Sequence, residues 1–520
     1  MSTSSTANRQ IARAAGVVMA GFVLSTLTGL LRRVLVSNAF GTSEQLDAFT
    51  AAARVPDTLF VLVAGGALAS AFIPAFTGFL EKDNRVGAWE LASAVMNLIS
   101  LVLAGVSVLT AIFAPALVRY VLAPKFDPAQ QALAASLLRV LLISPTIFGI
   151  SGLLMGILNT HQHFLLPALA PTLHWVGHIV GVLWFVPTMG IFGLAWGAVL
   201  GAGLHLAVQL PGVRALAGAQ YTPRLGLDLP AVWEVFRLMG PRVFGTAIVQ
   251  LNFWVNIRLA SGMAEGSLTA IDWAFAVMMM PQVVVAQAIA IAALPTFAAQ
   301  VARGELADMR ASLAATLRGV ILLSVPATVG LIVLRFPLIS LLFERGEFDA
   351  RSTELVAWAL LWYTVGLVSH SVVEIVSRAF YALHDTKTPV MVGAAAMGLN
   401  VVLSIGLAAL FGRVGWMPHG GLALALTLST TLEMMALLAL MRRRLNGLEG
   451  RRILLGLGQT TLAALVMGAG IWGWLALSAS VWGQVAGVIV GGLIYGIVVW
   501  MLRVEEVTEG LGEVRRRLTR

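Results

Sequence analysis

Apolar runs of about 20 residues or more, the length that carries an α-helix through the hydrocarbon of a bilayer, recur from Ile11 to Leu502 between short polar or charged stretches. The pattern predicts fourteen of them, at 11–39, 47–80, 88–118, 129–158, 163–186, 190–212, 230–262, 267–300, 308–342, 352–382, 388–412, 418–441, 452–478 and 481–502. The expected fold is therefore an all-α polytopic membrane protein with about 14 transmembrane helices. Several runs exceed what an upright helix needs and are expected to tilt or to project beyond the hydrocarbon. The first run follows a Ser/Thr-rich start carrying Arg9 and Arg13, as a signal peptide would. Its apolar stretch is too long for a signal and shows no convincing small-residue cleavage site, so it is read as retained.

Composition agrees with this reading: 58% of residues are hydrophobic and 11% charged, with a mean hydropathy of +0.88. Soluble chains are about 25% charged, so a globular water-soluble enzyme and a disordered protein are both excluded. The chain has no cysteine, which removes disulfides, thiolate metal sites and cysteine nucleophiles. The net charge of +9 does not imply a nucleic-acid partner, because Lys and Arg fall mostly in connectors, where orientation in a bilayer explains them. With the N-terminus inside, basic residues such as Lys82, Arg85, Arg303, Arg310, Arg442, Arg443 and Arg444 outnumber those outside by roughly three to one. Both termini are then cytoplasmic.

The spacing of a few residues indicates an internal repeat. Arg33, Asp47 and Pro56 are matched by Arg258, Asp272 and Pro281 at an offset of 225, with the intervals 14 and 9 kept. Pro115 to Phe126-Asp127 is matched by Pro337 to Phe348-Asp349 at 222, and Gly193 to Arg214 by Gly421 to Arg442 at 228. Two copies of six spans have the same orientation, the arrangement of parallel repeats in transporters. The predicted organisation is an N-terminal six-helix lobe at 1–222, a C-terminal six-helix lobe at 223–448, two extra transmembrane helices at 449–503 and a cytoplasmic tail at 504–520.

Ionisable residues inside spans are costly and normally face a cavity or a partner. The first repeat carries Arg32, Arg33, Asp47, Arg54 and Asp57, and the second Arg242, Arg258, Asp272, Glu374 and Arg378. Arg32, Arg33, Asp47, Arg54 and Arg258 are the candidate substrate-binding residues. Guanidinium groups stay charged at physiological pH and pair bidentately with phosphate, so an anionic cargo is expected. Structural alternatives stand beside each. Arg33 and Arg258 can snorkel to the interface, Arg54 can pair with Asp57 at a kink made by Pro56, and Asp47 and Asp272 can act as interfacial caps. Glu374 and Arg378, four apart, read as a structural ion pair. His161, His163, His174 and His178 cluster near the fifth span. The spacing of the last two suits a metal, but no carboxylate or thiolate accompanies them, so interfacial or packing roles are expected. No Walker lysine or catalytic triad is present, and no cofactor, metal or catalytic residue is expected.

The segments FGTSEQLDAF, AGGALASAFIPAF, LNTHQHFLLPALAPTL, QLPGVR, LMGPRVFGTAIVQLN, LLFERGEFDARST and SRAFYALHDTKTPV occur in this order on the predicted spans. Through them the chain, over about residues 11–445, resembles the MurJ/MviN lipid II flippases of the multidrug/oligosaccharidyl-lipid/polysaccharide exporter superfamily. The resemblance implies fourteen spans in two lobes, a cationic cavity, and alternating access that moves undecaprenyl-linked peptidoglycan precursor from the inner to the outer leaflet of the bacterial cytoplasmic membrane. It further implies a groove near the last two spans for the polyprenyl tail, a lipid-linked glycan pyrophosphate and membrane lipids as partners, and association with cell-wall synthesis proteins. Arg32 matches the second arginine of the family's first-helix pattern, Asp47 its DAF aspartate, and Arg54 a basic position before proline. The chain departs from the pattern at Thr26, Phe60 and Ala276, where the family has arginines, and at Arg33, where it has an aspartate. Asn256, Asn400 and Ser404 stand where some relatives bind sodium through Asp, Asn and Asp, which weakens the case for sodium coupling. Arg33 and Arg258 are candidates to restore the lost charge. The alternatives are a flippase of another polyprenyl-linked glycan, a cation-coupled small-molecule exporter, and a transport-inactive interaction paralogue docking through VEEVTEGLGEVRRRLTR.

Overall fold

The computed structural model describes residues 3–63, 67–478 and 480–507, and among them every regular element is helical. Among the described residues eleven helices are long and apolar enough to cross a membrane, and the pair Ala350–Val365 and Leu367–Ala382, bent by 46°, makes a twelfth span if taken together. The remaining two predicted spans are also helical. The run at 47–80 is seen as Glu44–Val63 and Ala67–Glu81, with 64–66 outside the described residues. The run at 230–262 is one helix, Pro230–Ala260, whose hydropathy is lowered by polar positions that include Gln250, Asn252 and Asn256, all buried. The chain is a multi-pass helical membrane protein. Most of the tail at 504–520, including the arginines from Arg515 on, lies outside the described residues.

The chain divides into two compact units. The first comprises Met1–Gly266 with Arg345–Phe348, and the second Ser267–Glu344 with Asp349–Arg520. In the first, Phe72 and Phe76 of Ala67–Glu81, Trp89 and Leu91 of Arg85–Ile112, and Leu153 and Ile157 of Ser144–Thr160 share one core with Val232 and Val235. The helix Pro230–Ala260 thus packs into this unit. Helices Leu165–Val180 and Ile191–Ala207 approach to backbone contact: a Cβ on Gly177 would lie 2.2 Å from Gly201 Cα. Only small residues allow such a crossing. The four residues Arg345–Phe348 are held by Glu347 N–H donating to Asn38 O at 3.0 Å. Gly346 has φ +59°, and any Cβ there would lie 2.3 Å from that same oxygen. A side chain is therefore excluded twice, by backbone strain and by space.

The second unit is built on Leu306–Phe343, a 38-residue helix. Its Met309, Leu313 and Leu317 pack with Phe297, Ile375, Phe380, Leu437 and Met441. Helices Gly450–Leu477 and Val481–Met501 dock on the same long helix. Tyr495 Oη donates to Leu322 O at 2.6 Å, and buried Arg318 pairs with Glu506 and, at 3.6 Å, with Glu505. Glu374 and Arg378 form the expected ion pair at 2.7 Å.

Candidate functional site

Two cavities matter, one in each unit. That of the first unit has a volume of about 590 Å³ and is lined by residues that include Arg32, Arg54, Asp57, Phe60, Ser144, Phe148, His174, Trp175, His178, His205 and Gln250. Of the five sequence candidates it brings together Arg32 and Arg54. It does so because the helix Thr3–Phe40 runs against Leu165–Val180, with Gly29 so placed that a Cβ there would be 3.3 Å from Trp175 Nε1. Three residues on, one helical turn later, the Arg32 guanidinium sits 5.1 Å from the centre of the Trp175 ring.

Arg54 lies on Glu44–Val63, which continues as helix through Pro56. Thr58 Oγ1 donates to Arg54 O at 2.7 Å and accepts from Trp254 Nε1 at 2.9 Å. The Arg54 guanidinium stands 4.7 Å from the Phe253 ring centre. Both cavity arginines thus stand against aromatic rings, an arrangement that holds a cation through the ring quadrupole.

The other three candidates are elsewhere in the first unit. Asp47 is buried, and its Oδ2 accepts from Gly266 N at 2.9 Å, fixing the backbone after the helix Pro230–Ala260 as a cap would. Arg258 is exposed and donates to Tyr120 O at 2.5 Å and Val121 O at 3.2 Å, where the C-terminal carbonyls of a short helical stretch carry partial negative charge. Arg33 is half-buried on Thr3–Phe40 and does not line the cavity.

Histidines form much of the wall beside Trp175. His174 and His178 share one face of Leu165–Val180, with ring centres 4.8 Å apart. The close Gly177–Gly201 crossing brings His205 of Ile191–Ala207 to the same wall, and Phe148 lies edge-on to His174 at 5.1 Å and to His205 at 5.3 Å. Buried Ser151 Oγ is 2.6 Å from His205 Nδ1 and accepts from Gln209 Nε2 at 2.7 Å. Phe60, where the resemblance implies an arginine, packs on Phe148 at 4.5 Å, so this part of the cavity is aromatic. His205, Ser151, Gln209 and Trp175 were not singled out by sequence. The spacing of His205 and Gln209, four apart in an apolar span, was the available signal.

The cavity of the second unit, about 350 Å³, is almost wholly apolar, lined by Pro281, Leu331, Leu334, Met467, Ile471 and Val488 among others. Among the described residues that line it, Gln484 is the one with an amide side chain. It borders the helices Gly450–Leu477 and Val481–Met501, the last two spans, where the resemblance implies a groove for a polyprenyl tail.

The family model described as Lipid II flippase MurJ matches residues 36–490. The chain is 30% identical over 473 residues to the lipid II flippase MurJ of Burkholderia cenocepacia, covering 89% of this chain and 90% of that one. It is 28% identical over 502 residues to a probable lipid II flippase MurJ of Synechocystis sp., covering 93% and 91%. Among solved structures it is similar to lipid II flippase MurJ in an inward closed conformation, with TM-score 0.81, 22% identity, and 94% of this chain and 99% of that one covered. It is also similar to an inward-facing multidrug resistance MATE family transporter of the MOP superfamily, with TM-score 0.69 and 17% identity over 82% of this chain and 96% of that one. These structural likenesses concern the fold.

Proposed function

The chain belongs to the lipid II flippase MurJ family, and from that premise we propose that it translocates undecaprenyl-linked peptidoglycan precursor, lipid II, from the inner to the outer leaflet by alternating access, for cell-wall synthesis. The observation that carries this reading is the pairing of Arg32 and Arg54 in one aromatic-walled cavity. Two guanidinium groups suit a pyrophosphate, and the apolar cavity of the second unit suits a polyprenyl chain. In this proposal Arg33 supports the site from the helix that carries Arg32, Asp47 from the helix that carries Arg54 and Arg258 from Pro230–Ala260, the last two by fixing backbone at Gly266 and at Tyr120 and Val121. The protein works as a transporter and not as an enzyme: no covalent bond is made or broken, and no ATP is hydrolysed by the chain itself. It resides in the bacterial cytoplasmic membrane with both termini inside, as the distribution of Lys and Arg favours, near the cell-wall synthesis proteins that use its product. The organisation into lobes at 1–222 and 223–448 with two extra helices at 449–503 rests on the three matched spacings of the sequence.

The test is complementation of bacterial cells depleted of their own lipid II flippase, comparing the chain with its Arg32→Ala, Arg54→Ala and Arg258→Ala variants at matched membrane levels. Rescue by the chain, lost in the two cavity variants, is the expected result. A well-expressed chain that fails to rescue would overturn the reading.

A further inference from the structure

The cavity of the first unit contains hydrogen-bonding capacity that the fold does not use. His178 and Ser144 both line it, at 5% and 6% exposure. Neither His178 Nδ1 nor Ser144 Oγ has a hydrogen-bond partner among the described residues. A buried polar atom left unmade costs free energy that a fold normally avoids, and a ligand is one way to recover it. His205, on the same wall, is different: its Nδ1 is engaged by Ser151. His174 Nδ1, on the same cavity, is without a partner too, and beside these residues stand the Trp175 ring, 5.6 Å from His178, and Phe148, edge-on to His174.

The chemistry of these groups is not that of a second anion site, since they are imidazole nitrogens and a hydroxyl. Each of these can both give and take hydrogen bonds, according to tautomer and rotor. Aromatic faces with a few placed polar atoms match a group having hydroxyls or amides on one side and C–H surface on the other. In a lipid-linked glycan pyrophosphate, the group directly bonded to the phosphate is a sugar of that description. We propose that His178 and Ser144 form a saccharide subsite next to the arginines, binding hydroxyl or N-acyl groups of the sugar attached to the pyrophosphate and so determining which glycan carrier is accepted. The subsite rests on the reading of the cavity as a site for a lipid-linked glycan pyrophosphate.

The experiment measures binding of two soluble probes to the purified full chain in nanodiscs. One is farnesyl diphosphate, and the other is a farnesyl-chain analogue of lipid II carrying the same diphosphate plus its sugars and peptide. His178→Leu and Ser144→Ala should each weaken the glycosylated probe by about tenfold while changing farnesyl diphosphate by less than about twofold. His178→Asn, which keeps a polar atom near the position of Nδ1, should retain most of the affinity for the glycosylated probe and guards against a fold lost in the leucine variant. Arg32→Ala should weaken both probes. Equal losses on the two probes, or no loss in either His178→Leu or Ser144→Ala, would overturn the subsite. A wild-type chain that binds farnesyl diphosphate but gains nothing from the sugars overturns the subsite alone. One that binds neither probe removes the proposed function and the subsite together.

Discussion

The Arg32 guanidinium lies 5.1 Å from the centre of the Trp175 indole, so the charge proposed to meet the substrate is positioned by a ring on a different helix. A desolvated guanidinium–phosphate contact contributes about 1.5–3 kcal/mol. Arg32→Ala should therefore raise the Kd for a short-chain lipid pyrophosphate by more than about tenfold. Trp175→Leu leaves the charge in place but frees it, removing about 0.5–2 kcal/mol of cation–π energy, and should give a smaller loss. Lys82→Ala, at an exposed connector position, serves as the control and should bind as the wild type does. Titration of the purified variants in nanodiscs orders the three. A Trp175→Leu loss larger than that of Arg32→Ala would mean that the ring, not the cation, makes the main contact.

Ser151 ties two helices together behind the cavity. It is fully buried, lies 2.6 Å from His205 Nδ1 and accepts from Gln209 Nε2 at 2.7 Å. Ser151→Ala strips that nitrogen of its partner, although Gln209 Nε2 keeps its bond to His205 O at 2.9 Å. A loss of about 1–3 kcal/mol is expected, read as a lowered Tm in detergent. The affinity of farnesyl diphosphate should change little, because Ser151 does not line the cavity.

Much of this architecture is legible in the sequence because the bilayer imposes one simple rule, about twenty apolar residues to a helix. The runs at 308–342 and 388–412 could be placed within a few residues of Leu306–Phe343 and inside Lys387–Val414. Charge is also expensive inside a span, which is why Arg32 and Arg54 stood out before any geometry was known. Position along the chain does not give azimuth, however. Arg32 and Arg33 are neighbours in sequence but point about 100° apart on a helix, and only the packing of Thr3–Phe40 on Leu165–Val180 selects which one reaches the cavity. Histidine carries no comparable signal in an apolar run. The wall made by His174, His178 and His205 depends on a glycine crossing between helices that sequence spacing alone does not pair.

Asp385 gives the protein a pH-sensitive joint outside the spans. The carboxylate accepts from Thr388 N at 3.0 Å and Thr388 Oγ1 at 2.8 Å, and pairs with Arg444 at 3.0 Å. The hydrogen bonds from Thr388, and then the Arg444 charge, hold its pKa below the usual carboxylate value. A depressed carboxylate stabilises the folded chain above its unfolded pKa and loses that contribution as pH falls through the folded value. Asp385→Ala should accordingly lower Tm at pH 7, and the gap from wild type should close as the pH is taken down through the carboxylate range toward pH 3. Thermal melts of both proteins across that range decide it. A gap unchanged at the acid end would show that the ionised carboxylate is not what stabilises the joint.

Backbone contact between Leu165–Val180 and Ile191–Ala207 sets the width of the histidine wall, and glycine is the only residue that permits it at the crossing. A Cβ on Gly177 would meet Gly201 Cα at 2.2 Å, and one on Gly181 would meet Gly197 Cα at 2.6 Å. Neither obstacle is the end of a flexible side chain, so the helices themselves must separate. Gly203, on the same helix as Gly197 and Gly201, has open space where a Cβ would go. Gly177→Ala should therefore cost stability by the overpacking route, about 1–3 kcal/mol. Gly203→Ala should be neutral or slightly stabilising, since alanine favours the helix by about 1 kcal/mol over glycine. The two melts, read with farnesyl diphosphate affinity, also separate cavity shape from global stability. A Gly177→Ala chain kept folded below its Tm should still bind more weakly than Gly203→Ala, because moving that helix carries away Trp175, the ring on which Arg32 stands. Equal affinity in the two folded variants would mean that the crossing supports the fold without shaping the site.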